Sequence, residues 1–404
     1  MLANPPVPWA CRDQSAIGRD LRRGGQDRPV AETAPDLPRH RRDRGAIRGG
    51  WRILGVMTTD ANDVLDVIVV GAGISGLVCA RELVASGQRV LLLDKSRGLG
   101  GRCATRRMLG QPVDIGLSYY HSDDPQLLAE LARVPATVLP GWPRRIAGNG
   151  PPCHPAALRP GQQRLAFAEG VNAFPRHLAR DLDIRLGARV HQIVPDAGGV
   201  TLQLEDGSPL RSRDVVLTIP PPQARAVLAS EQSRSSRAVL GLLEHVVVEP
   251  CITMTVGYSL DSPDPGFDLL YPDRGSILQL VSHDSSKRVD PTYRVLVVQA
   301  RAAWSRQHLE ASQDEWRAAL LAETAAQLGP WVHTPAWSDL QRWRFAKTGH
   351  NTELGAPMVL GLPGGGRLGL TSEAFAAEAG VQAAYHAGLG LAQRLLADSP
   401  QRGA

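Results

Sequence analysis

Cysteine is scarce in this 404-residue chain and nowhere clustered: Cys11, Cys79, Cys103, Cys153 and Cys251 stand far apart, with no Cys-x-x-Cys spacing. That argues against a disulfide framework and a zinc site, and it suits a reducing, cytoplasmic setting. Long apolar runs are also absent; none approaches the ~18 residues of a membrane-spanning helix. Aromatic residues make up only 5% of the sequence. Lysine occurs three times, as Lys95, Lys287 and Lys347. Positive charge is unevenly spread. Of the net +5, residues 1–62 carry +4, from 11 Arg against 7 Asp and Glu. The rest is close to neutral, and a basic tail alone does not make a nucleic-acid binder. No nucleic-acid partner and no metal are expected.

Residues 1–62 are rich in Arg, Pro and Gly, show neither the helical nor the strand period, and lack the apolar centre of a secretory signal. They read as a disordered tail, or as residues upstream of a start at Met57, whose "MTTDAND" leads into the first strand.

Ordered structure begins there. Residues 67–70 and 90–93 are short continuous apolar runs, as expected for strands buried on both faces of a parallel sheet. Between them Leu77, Ala80, Leu83 and Val84 share one helical face, and Gly87 stops the helix. Further strands are expected over 189–194, 200–205, 215–219, 252–258 and 295–300, the second followed by an Asp206-Gly207 turn. Ser312-Gln-Asp-Glu315 is a capping box that opens a helix ending at Gly329-Pro330, and a last helix runs from about 380 to 396.

Gly71-Ala-Gly73-Ile-Ser75-Gly76 falls between the first strand and the first helix. In that context the first glycine permits a tight turn, the second lets backbone approach a pyrophosphate, and the third lets helix pack on strand. The helix N-terminus offers unpaired N–H groups to phosphates. Asp94 ends the second strand, where a carboxylate accepts ribose hydroxyls. A purely structural glycine turn is the bland alternative. Strand, turn, helix, strand and acid in sequence argue for a dinucleotide, and NAD and FAD both suit the unit.

The next stretch, Arg97-Gly-Leu-Gly100-Gly101-Arg102, resembles the "RxGGR" element of the flavin amine oxidase superfamily. Two adjacent glycines let backbone run beside a diphosphate, and an arginine forks onto phosphate oxygens. Val113-Asp-Ile-Gly116-Leu-Ser-Tyr119-Tyr120 is similar to the family's flavin-side strand. Gly170-Val-Asn-Ala-Phe-Pro175 with the strands around Val190 resembles the adenine-holding segment. Gly369-Leu-Thr-Ser-Glu373-Ala-Phe375 through Gly380-Val381 resembles the closing motif beside the ribityl chain and the flavin pyrimidine. Gln341-Arg-Trp343-Arg344-Phe345-Ala346 looks most like renalase and its bacterial relatives. Where the family's closing motif carries Gly-Asp, this chain has Ser372-Glu373, one methylene longer.

The resemblance implies an α/β fold: a Rossmann-like FAD-binding domain of the glutathione-reductase and amine-oxidase type with an inserted α+β substrate domain. The expected FAD part is 63–125, 165–225 and 346–404; the expected substrate part is 126–164 and 226–345. Implied FAD contacts are Gly71, Gly73, Ser75, Gly76, Asp94, Lys95, Gly100, Gly101, Arg102, Gly116, Val190, Glu373, Ala374, Gly380 and Val381. No cysteine follows Cys251 to form a C-terminal thioether, so noncovalent FAD is expected.

A small molecule giving up a hydride to flavin N5, with oxygen as reoxidant, is the implied chemistry. The renalase likeness favours a misreduced dihydronicotinamide nucleotide, with Arg342 and Arg344 near its phosphates. An amine oxidase is the alternative, although Tyr119 and Tyr120 are the only aromatic pair in sight. A non-catalytic binding protein on the same fold is a third reading. No catalytic group is assigned. Trp343, Arg344 and Lys347 are pocket candidates, Lys347 at the place where many amine oxidases set a lysine behind the flavin. His121 and His283 read as ordinary polar positions.

Overall fold

A computed structural model describes residues 65–229 and 233–397; the expectations for residues 1–62 lie outside the described residues. Two sheets dominate. The first has eight strands drawn from three separate stretches of chain. Leu65–Val70 lies at its centre, parallel to Val90–Asp94 on one side and to Pro209–Leu217 on the other. Asp183–Leu186 and Arg367–Leu370 extend the parallel array outward. Val190–Asp196 and Gly199–Leu204 add an antiparallel pair, and Met358–Gly361 runs antiparallel to Arg367–Leu370.

Both faces of the central strands are covered, which is why they are apolar without alternation. Val67, Val69 and Leu92 pack under the helices Ile74–Ala85 and Val381–Ala397. Ile68, Val70, Leu93 and Val215 pack on the opposite side with Val190, Ala224 and Val227. Leu77, Ala80 and Leu83 are buried as expected, but Val84, in the last turn of its helix, is 37% exposed. The strand expected to reach residue 219 ends at Leu217. The prolines after it open a helix, Pro221–Leu228, because proline suits the first helical turn, whose N–H has no helical partner.

The second sheet has six strands, in the order Trp337–Thr348, Val248–Tyr258, Arg294–Ala300, Leu278–His283, Leu269–Leu270 and Ile146–Ala147. Side chains alternate between its faces. Ile252, Met254, Val256, Leu296 and Val298 pack against Trp316 and Leu320 of the helix Gln313–Leu328. That helix starts on its expected box, with Ser312 Oγ accepting from Glu315 N at 3.2 Å. On the other face Val295, Val297 and Trp343 meet Val113 and Ile115. Among the described residues no helix is long and apolar enough to cross a membrane.

Candidate cofactor and substrate site

The glycine turn that follows the first strand contains two kinds of glycine. Gly71 has φ +115°, and a Cβ there would lie 2.6 Å from Thr218 Oγ1. A Cβ on Gly76 would lie 1.9 Å from Gly71 O. The protein's own packing demands both. Gly73 is different: its backbone is extended, at φ −80° and ψ 178°, which any residue adopts, and an added Cβ meets nothing within 4 Å. Gly101 comes onto the same spot, its notional Cβ 3.6 Å from Gly73 Cα. Gly100 N donates to Ala72 O at 2.9 Å, joining the two glycine clusters. The helix Ile74–Ala85 starts beside them with no side-chain cap and no acid in its first turn, so the positive end of its dipole is left uncompensated. Ser75 is buried behind the turn, its carbonyl against Gly388 of the last helix.

Asp94 closes the turn from below. Its two carboxylate oxygens accept from Ala72 N at 2.7 Å and Ser96 N at 2.6 Å; lone pairs remain for further donors. Its carbonyl accepts from Ala188 N at 2.9 Å, which brings the start of Val190–Asp196 alongside. Val190 itself is buried, at an irregularity in register with the neighbouring strand. Lys95 is exposed near Arg189.

Arg102 and Glu373, 271 positions apart, form an ion pair. Glu373 Oε1 also accepts from Thr348 N at 3.1 Å and Thr348 Oγ1 at 2.9 Å. Arg102 Nη1 reaches Ala346 O. Gly116 is wedged in the same place: a Cβ on it would sit 2.1 Å from Arg102 O and 3.4 Å from Trp343 Cζ2. Trp343 Nε1 donates to Ile115 O at 3.2 Å, and Gln299 Nε2 donates to Gly116 O at 2.7 Å. Ala374 is buried, its carbonyl accepting from Leu354 N. Gly380, at φ +146°, leads into the helix that begins at Val381.

Arg344 is not part of this gathering. With Arg342 it pairs with Glu310 on an exposed surface. Strand alternation is the reason: Trp343 points toward Ile115, so its two neighbours point away. Lys347 shares the parity of Trp343 and is half-buried, with Nζ 3.4 Å from Cys153 O. His154 lies near it; burial, then the charges of His121 and Lys347, push this imidazole down to about 3. The two histidine rings are 5.8 Å apart.

The aromatic reading needs correction. Tyr119 and Tyr120 are neighbours in sequence but belong to different clusters. Tyr120 packs on Phe167 and Phe174 in the core. Tyr119 is edge-on to Trp142 at 5.9 Å and shares a buried cluster with Tyr271. A buried aromatic cluster therefore exists, assembled from distant residues. Lys287 is the other residue that sequence reasoning passed over: it is fully buried, between Asp114 and Asp284. The spacing Asp284-x-x-Lys287-Arg288, which puts acid and base on one side of a helical turn, was the available signal.

A Rossmann-like sheet with a glycine-lined turn, completed by a strand and helix from the far end of the chain, defines a dinucleotide-binding α/β protein. Residues 69–134 match the NAD(P)-binding Rossmann-like domain, and residues 154–396 match the flavin containing amine oxidoreductase family. The chain belongs to the flavin containing amine oxidoreductase family. Among curated relatives, (S)-6-hydroxynicotine oxidase of Paenarthrobacter nicotinovorans is 32% identical over 209 residues, 48% of this chain and 46% of that protein. Putrescine oxidase of Kocuria rosea is 42% identical over 64 residues, 16% of this chain and 13% of that protein. The chain thus aligns with less than half the length of these relatives. A solved putrescine oxidase mutant matches the fold with TM-score 0.64 at 16% identity, covering 83% of this chain and 99% of that one. Cyclohexylamine oxidase from Brevibacterium oxydans matches with TM-score 0.62 at 16% identity, covering 82% and 100%.

Proposed function

We propose that this protein is an FAD-dependent oxidoreductase that binds FAD noncovalently and oxidises an amine at the carbon next to nitrogen. The observation that carries the cofactor reading is Gly73. Among the described residues none occupies the space a side chain there would fill, and its backbone does not require glycine. A diphosphate lying over Gly73 explains the absence of a side chain there; Gly101 beside it has φ +56° and is glycine on backbone grounds already. In this reading Gly71–Gly76, with Ser75 behind them, and Gly100–Arg102 hold the diphosphate; Asp94 and Lys95 flank the adenosine ribose, and the Val190 backbone holds the adenine. Gly116 and Trp343 border the ring system, with Glu373, Ala374, Gly380 and Val381 beside the ribityl chain and pyrimidine. The first sheet is then the FAD part and the second the substrate part.

Bound FAD supplies a two-electron hydride acceptor. The chain's own residues orient the donor and exclude water. Near Lys347, burial keeps the imidazole of His154 and of its neighbour His121 uncharged. The Lys347 ammonium disfavours a second cation, so the donor enters as the neutral amine, whose nitrogen lone pair assists hydride loss. A donor held there would give up its α-hydrogen as hydride and leave as an iminium ion, and dioxygen would serve as reoxidant, taking up the two electrons with two protons as hydrogen peroxide.

A dihydronicotinamide nucleotide, the donor implied by the renalase likeness, needs cations for its phosphates. Arg342 and Arg344 are engaged with Glu310 instead, which favours the amine. The test is the visible spectrum of the purified protein during anaerobic mixing with primary and secondary amines, and with 2-dihydro- and 6-dihydro-NAD(P). Bleaching of a yellow protein by an amine is expected. Bleaching only by the dihydronicotinamides reverses the choice of donor, and failure to take up FAD overturns the enzyme reading.

A further inference from the structure

Beneath the segment that carries Gly116 lie four charges with almost no access to water. Lys287 and both its acidic partners, Asp114 and Asp284, have fully buried side chains, and that of Arg288 is 2% exposed. Lys287 Nζ is 2.5 Å from Asp114 Oδ2 and 2.8 Å from Asp284 Oδ1. Arg288 Nη2 is 2.9 Å from Asp114 Oδ2 and 2.7 Å from Asp284 Oδ2. Two acids balance two bases, so the group is neutral as a whole. Asp114 belongs to the strand Gln111–Asp114, whereas Asp284 and Lys287 bound the short turn Asp284–Lys287 that follows a strand of the second sheet.

Buried ion groups rarely gain net stability over apolar side chains of the same volume, so the arrangement invites a reason beyond stability. Its remaining hydrogen bonds supply one, because all but the one from Thr105 Oγ1 end on backbone. The third donor of Lys287 goes to Ser118 O at 3.0 Å. Arg288 holds Phe167 O and Ala168 O at 3.2 and 3.0 Å. Asp114 Oδ1 accepts from Val171 N at 2.9 Å and Thr105 Oγ1 at 2.6 Å, and Asp284 Oδ1 accepts from Asp114 N at 3.2 Å. The ring of Trp142 covers the ammonium, 4.7 Å from its centroid. The ammonium therefore ties both ends of residues 114–118, the stretch that offers Ile115 O to Trp343 and Gly116 O to Gln299.

We propose that Lys287 is a positioning residue: through Asp114 and Ser118 it fixes the backbone of residues 115–118 against the second sheet, and so sets where Gly116 meets Trp343 at the border of the proposed donor site. The consequence for the donor rests on the proposed function; the backbone clamp does not. Lys287→Met leaves one acid unbalanced, whereas Lys287→Met/Asp284→Asn is neutral again. The single variant is expected to melt several degrees lower and the double variant to recover most of that loss. In both, amide hydrogen exchange of a peptide spanning residues 113–122 is expected to quicken about 10-fold in the FAD-free protein, while Leu65–Val70 keeps its protection. With FAD bound, the double variant should show a severalfold higher KM for the donor at unchanged FAD affinity, and Lys287→Arg should be closer to the parent. Unchanged exchange in residues 113–122, or equal quickening there and in Leu65–Val70, overturns the proposal and leaves Lys287 as a buried counter-ion. Because the exchange readout needs no flavin, it stands even if the parent protein takes up none.

Discussion

Gly73 and Gly76 are three residues apart in one turn and respond to substitution in opposite ways. Adding a side chain at Gly76 forces Cβ to 1.9 Å from Gly71 O. Gly76→Ala should therefore cost about 1–3 kcal/mol or more of folding stability, the range for overpacking, measured by urea unfolding. Adding one at Gly73 meets no protein atom within 4 Å. Gly73→Val should leave the unfolding midpoint of the FAD-free protein nearly unchanged and abolish FAD uptake, read by absorbance after reconstitution. A Gly73→Val protein that reconstitutes normally would show that the diphosphate lies elsewhere. The same contrast separates Asp94, whose carboxylate stitches two backbone N–H groups, from Lys95 on the exposed side.

The strand Trp337–Thr348 shows how much an element decides by its parity. Trp343 and Lys347 face Ile115 and Cys153, while Arg342 and Arg344 bind Glu310 on the exposed side. Exposed pairs of this kind contribute about 0–1 kcal/mol. Arg344→Ala should change the donor's KM by less than about 2-fold and the stability by less than about 1 kcal/mol. Trp343→Ala removes the ring against Gly116 and the bond to Ile115 O, and should raise KM about 10-fold, which corresponds to roughly 1.4 kcal/mol. Steady-state kinetics on the two variants checks both. A larger KM effect from Arg344→Ala would bring the nucleotide phosphates back into consideration.

Acid sensitivity belongs to the whole molecule, because the partly or fully buried histidines lie on four separate segments of the fold. Burial is the leading cause that lowers His121, His154, His177 and His283 below the usual imidazole value of 6.5. The unfolded chain takes up protons as pH falls through 6.5, whereas native His154 stays neutral down to about 3. Stability is therefore fullest above pH 6.5 and is lost as pH falls below it. His154 alone contributes a loss of about 2 kcal/mol between pH 7 and pH 5. Asp114 adds to the loss further down. Burial acts to raise its carboxyl, but Lys287 and Arg288 outweigh it and hold the group at about 2; its share disappears as pH falls from near 4 through 2. The melting temperature should drop steadily from pH 7 to pH 5, and His154→Gln should flatten that slope. A melting temperature independent of pH over this range would contradict the burial of these rings.

The sequence alone determined the features whose causes are local. Contiguous apolar runs, a helical stripe, a capping box and glycines at fixed offsets act over a few residues, so the strand–turn–helix unit, the turn at Gly71–Gly76 and the helix over Gln313–Leu328 were legible from spacing. The family likeness came from the same short motifs. Tertiary structure decided everything that depends on which distant residue arrives. The pairing of Arg102 with Glu373, the meeting of Tyr119 with Trp142 and Tyr271, and the direction in which Arg342 and Arg344 point follow from how two sheets are laid against each other. No local period records that. Lys287 is the clearest case: the spacing to Asp284 offers it one partner on the same turn, and only the arrival of Asp114 from 173 positions away balances the group and makes its burial possible. A charge can leave water only when its counter-charge comes with it, and that condition is met by the fold, not by the segment.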